Sequence, residues 1–161
     1  MRSPLRVVGA IVGGIVAAYV VIMLAEVLTS RIYRMPAGVS PANSDAMKAW
    51  IQQLPTPAFA LVLIGWALGA FAGGVVAAKV DRTSGVRDAI ILGVLLLAAS
   101  VSNMMNIPHP IWMWVGAFAL IVPAAYLGAR VVAARGESSL PPSLDGPLDS
   151  RTSRADLSRS R

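Results

Sequence analysis

Glu26 is the one carboxylate inside the four long apolar stretches of this chain, and it marks where chemistry is possible. A carboxylate within a membrane-spanning segment is costly. It is kept where it faces water, a bundle interior or a partner charge. It can take up a proton, hold a cation, or pair with Arg31 or Arg34 a turn or two further on. Asn103 and Asn106 lie near the end of a later stretch, with Ser100 and Ser102 beside them, and His109 follows between Pro108 and Pro110. The amides suit hydrogen bonds across helices or a helix cap. The histidine suits a rigid turn better than a ligand site. A metal site built from Glu26, His109 and the nearby Met104, Met105 and Met113 would mix hard and soft donors and match no one ion, so no metal is expected. With no cysteine, the chain has no thiol nucleophile, iron–sulfur cluster or Cys-ligated zinc. It carries no nucleophile–base pair, phosphate-binding glycine loop or HExxH helix. No enzyme and no cofactor are expected.

The elements that must position these groups are legible in the composition. Hydrophobic residues make up 56% of the 161 positions and charged residues 14%, against about 45–50% and about 25% in soluble domains. The excess is concentrated in four stretches: 7–29, 57–78, 89–107 and 111–134. Each is long enough, at about 1.5 Å per residue, to cross a hydrocarbon core of about 30 Å. Lipid offers no backbone partners, so the stretches must be helices, and β-alternation is absent. The expected fold is all-α: a four-helix transmembrane bundle over residues 1–135, followed by a disordered cytoplasmic tail over 136–161. The first stretch is too long for a signal-peptide core and reads as a retained helix. Pro123 leaves the carbonyl of Ala119 without its helical partner and should bend the fourth span.

An internal repeat adds a packing expectation. The run from Gly9 to Ala18, GAIVGGIVAA, returns from Gly69 to Ala78 as GAFAGGVVAA. Small residues recur every fourth position at Gly9, Gly13 and Ala17, and again at Gly65, Gly69, Gly73 and Ala77. Such stripes let helix backbones approach closely, which is how spans associate in lipid. The seams are expected either within the chain or between copies.

The connections set the topology. The long loop from Ser30 to Thr56 contains a short amphipathic helix with Met47, Trp50, Ile51 and Leu54 on one face, capped by Asn43 or Ser44. Pro108-His109-Pro110 is so short that the spans on either side must be antiparallel neighbours. One side of the membrane gathers Arg2, Arg6, Lys79, Arg82, Arg87, Arg130 and Arg135, the other Arg31, Arg34 and Lys48. This asymmetry places both termini in the cytoplasm. The tail mixes four acids with four arginines, so it neither orders itself nor anchors to lipid electrostatically. The fourteen Lys and Arg behind the net charge of +6 are scattered over span ends and that tail, without a basic helix face, so nucleic-acid binding is not expected.

Two resemblances follow. Leu24-Ala25-Glu26-Val27 resembles the first helix of the small multidrug resistance transporters, which are four-helix proteins with one membrane glutamate. In that family the glutamate lies mid-membrane, whereas here it lies near the end of its span. Over roughly residues 1–135 the chain also resembles small, uncharacterised four-helix bacterial inner-membrane proteins. It shares with them Glu26, Tyr33 and Pro36, then Trp66 and Gly69, then Asn103 or Asn106 ahead of Pro108-His109-Pro110-Ile111-Trp112. Members often carry His four residues after the Glu; this chain has Ser30. That resemblance implies a fold and a membrane but no activity. The expectation is a non-enzymatic structural or accessory membrane protein whose partners are the lipid bilayer and either a second copy or another membrane protein. The alternative is a small proton-coupled cation or solute transporter working through Glu26.

Overall fold

The computed structural model describes residues 4–40 and 42–137. Every apolar stretch is a helix: α1 (Pro4–Ile32), α3 (Thr56–Val80), α4 (Gly85–Asn106) and α5 (Ile111–Glu137), with the short α2 (Ser44–Gln52) between the first two. No strand occurs among the described residues. All four long helices are apolar and long enough to cross a membrane. Most of their ends run past the expected limits because flanking residues still close helical turns, although α4 stops at Asn106, one short of the expected 107, and α5 starts at 111 as expected. Asp88 N–H, for example, donates to the Ser84 carbonyl at 3.0 Å, so α4 starts at Gly85 rather than 89. α5 continues unbroken through Pro123, whose ring is exposed, and reaches Glu137. The tail expected from 136 onward lies outside the described residues beyond 137.

α3 is the centre of the bundle. It packs against α1, α4 and α5, while α1 and α5 do not touch each other. This helix is apolar around its whole circumference, as a buried central span must be. Its contacts are made by small residues on two faces. Toward α1, a methyl group at Gly69 would lie 2.6 Å from Ile22 Cγ1 and 2.9 Å from the Ala18 carbonyl, and one at Gly73 would lie 2.7 Å from the Gly14 carbonyl. Toward α5, Gly74 faces the backbone of Ala125 and Gly128 faces that of Phe71. The larger side chains collect at one end of the bundle, where Phe59, Leu63, Trp66, Met104, Met113 and Ile121 form the main core cluster.

In the long loop, Asn43 Oδ1 accepts from Ala46 N–H at 3.1 Å and caps α2, leaving Ser44 as the first helical residue. Ile51 and Leu54 pack against the core cluster and bring α2 over its end. The loop reverses at Gly38, whose φ of +92° lies in the left-handed region that favours glycine. Large apolar side chains such as Val12, Val16, Leu68, Val94 and Phe118 point outward. An outer surface this apolar suits hydrocarbon rather than water.

Candidate functional site

The bundle opens at both ends. At the α2 end, an open cavity of about 170 Å³ is lined by all four long helices, and Glu26 and Asn103 are exposed at its mouth. Tyr19 and Glu26 reach it from α1, Trp66 from α3, Ser100 and Asn103 from α4, and Ile121 from α5. Glu26 and Asn103, far apart in sequence, therefore share one space. Glu26 makes no ion pair with Arg31 or Arg34 among the described residues. The Ser100 hydroxyl is already committed, donating to the Leu96 carbonyl at 2.9 Å.

The other two polar candidates stand apart from this cavity. Asn106 is exposed, and its Nδ2 donates to the Ser102 carbonyl of its own helix at 2.7 Å. His109 packs edge-on against Phe59, ring centroids 5.9 Å apart, and at a tilt against Trp66 at 6.2 Å. Its Nδ1 lies 2.7 Å from the Ile107 carbonyl. A carbonyl only accepts, so Nδ1 is the donor in this contact. Trp66 is the physical link between His109 and the Glu26 cavity. No three His, Asp or Glu side chains cluster in a metal-holding arrangement among the described residues. The cavity is smaller than the roughly 300 Å³ at which ordinary ligand pockets begin. Its size suits water or a small ion rather than an organic substrate.

The opposite end carries a larger feature that residue counting along the sequence did not reveal. A cleft of about 1300 Å³ opens between α3, α4 and α5, edged by Lys79, Arg82, Arg87 and Arg135. In the sequence these basic residues signal membrane orientation alone. Only the packing shows that they converge. The turn below them is built by Asp81, which is buried and whose Oδ1 accepts from Thr83 N–H at 2.9 Å and Ser84 N–H at 3.2 Å.

Between cavity and cleft lies a closed waist. Ala125 and Leu92 are fully buried there, and Leu92 Cδ2 reaches the Gly14–Gly73 crossing. Of the five glycines read as seams, Gly65, Gly69 and Gly73 meet α1 closely, Gly65 against Ala25. A methyl group at Gly9 or Gly13 would meet only ordinary contacts, at 3.8 Å from Val80 Cγ1 and 3.5 Å from Val76 Cγ1. The close approach on α1 belongs to the next residue, Gly14, in register with the buried Ala10 and Ala18. Comparison with protein families, with curated proteins and with solved structures found no match, so the chain's own residues carry its functional reading.

Proposed function

We propose that this chain is a non-enzymatic structural or accessory protein of a bacterial inner membrane, with both termini cytoplasmic, which packs with itself or with another membrane protein. The closed waist carries this reading. A conduction path needs polar groups at successive depths, but here the polar side chains gather at the two ends, and the layer between them is Gly14, Gly73, Leu92 and Ala125. Two members of that layer are glycines touching backbone to backbone, with no side chain to swing aside. α1 is the least buried of the spans and offers the most free apolar surface for a partner helix.

The transporter reading keeps one observation in its favour, the shared cavity of Glu26 and Asn103. Purified protein in liposomes, with an internal pH dye and imposed gradients of protons and monovalent cations, tests between the two. The accessory reading predicts flux equal to that of empty vesicles for wild type and for Glu26→Gln. Flux in wild type that Glu26→Gln abolishes would overturn it.

A further inference from the structure

We propose that the basic cleft between α3, α4 and α5 is a binding site for one anionic phospholipid. Four cationic side chains, Lys79, Arg82, Arg87 and Arg135, edge the cleft, and no acidic side chain lines it among the described residues. All four are exposed, and none makes an ion pair within the described residues. Two buried carboxylates, Asp81 and Asp88, lie in the adjoining turn and the first turn of α4, so the four cations leave a local excess of positive charge that an anion at the rim offsets.

Two further features point to a phosphate. The first turn of α4 opens into the cleft at Gly85, Val86 and Arg87, and its N-cap residue Ser84 makes no side-chain cap hydrogen bond. A helix N-terminus left open in this way favours phosphate oxygens. Ser84 lines the cleft and is only 8% exposed, yet its Oγ has no hydrogen-bond partner among the described residues. That hydroxyl is sealed from solvent, so a phosphate oxygen at the floor of the cleft meets it once the Ser84 side chain turns outward.

The depth of the cleft argues for a lipid rather than free phosphate. It extends along α3 from Lys79 to Phe71, roughly 12 Å at the helical rise of about 1.5 Å per residue. Below the basic rim its walls are Phe71, Val75, Ile90 and Val132. A headgroup phosphate fits the rim and an acyl chain fits the apolar depth, at the level where span ends meet the membrane surface. Basic pockets between span ends hold anionic headgroups by this combination.

The test is native mass spectrometry of the full-length protein in mild detergent, titrated with phosphatidylglycerol or with phosphatidylcholine of the same acyl chains. Wild type should retain phosphatidylglycerol in preference to phosphatidylcholine, and each of Arg82→Gln, Arg87→Gln and Arg135→Gln should weaken that retention about fivefold. Arg130→Gln removes the same charge from a residue that lies over Tyr126 instead of lining the cleft, and should leave retention unchanged. Equal retention of the two lipids, or loss that is the same in Arg130→Gln, would overturn the site. A further arm adds inorganic phosphate at millimolar concentration. If phosphate displaces the lipid fully, the apolar depth contributes nothing and the site is an anion site only, which also overturns the proposal.

Discussion

Asp81 shows how much one side chain can organise at the residue scale. Its Oδ1 satisfies two consecutive backbone donors, Thr83 N–H and Ser84 N–H, and so fixes the turn that feeds α4 beneath the basic rim. Asn offers the same acceptor, whereas Ala leaves both donors without it in a buried place. Asp81→Ala should therefore destabilise the bundle by about 1–2 kcal/mol, while Asp81→Asn should cost well under half of that. Reversible unfolding in mixed micelles would measure both. Equal losses would mean that the charge, not the hydrogen bonds, matters at this turn. Glu26 differs in kind, since no described residue pairs with it and its neighbours across the cavity are neutral. A side chain held by so few interactions is a poor structural strut, which is why Glu26→Gln separates the functional readings without threatening the fold.

At the scale of elements, the bundle is held by glycine at two crossings of α3, one with α1 and one with α5. Gly69→Leu would drive a side chain into Ile22 and the Ala18 carbonyl, and Gly74→Leu into the backbone of Ala125. Backbone cannot yield as a flexible side chain can, so each substitution should separate its helix pair and cost several-fold more stability than Leu68→Ala, on the lipid-facing side of α3. Leu63 would be a misleading control, because it is buried against α5 at Gly116 and its truncation leaves a void. Thermal aggregation in detergent, read by fluorescence-detected chromatography, would rank the variants. If Gly69→Leu and Gly74→Leu match Leu68→Ala, these crossings are not the source of stability. The same helices show what sequence could and could not reveal. The positions of the spans follow from apolar length and were legible to within a few residues. The contact face of α1 was not, because Gly13 and Gly14 are adjacent, about 100° apart around the axis, and only packing decides which one meets Gly73. The second face of α3 was hidden for a related reason: small residues occur on both sides, and an all-round apolar helix has no polar face to orient it.

At the scale of the whole molecule, the polar chemistry divides between two ends, and the division has a physical consequence for orientation. The cavity end carries Glu26, Asn103 and α2; the cleft end carries the converging Lys79, Arg82, Arg87 and Arg135. That Glu26 and Asn103 would face the same space was partly readable, since both fall near the same ends of their spans. That Asn106 would turn away was not, as it depends on the rotation of α4 about its own axis. Basic residues near span ends are retained on the cytoplasmic side, where anionic lipid is also enriched. Both the basic asymmetry and the proposed lipid site favour the proposed orientation, with the cleft inside and α2 outside. The native chain has no cysteine, so single thiols can be introduced without background. Ser44→Cys, exposed at the start of α2, should react in intact cells with a membrane-impermeant maleimide. Thr83→Cys, exposed in the turn between α3 and α4, should react only after the membrane is permeabilised. The reverse pattern would invert the topology. It would place the basic rim against the outer leaflet, and the cleft would then have to draw its anionic lipid from there. Labelling of both sites in intact cells would instead mean that the chain inserts in two orientations, in which case Arg31 and Arg34 beside the first span offset the basic cluster at the other end.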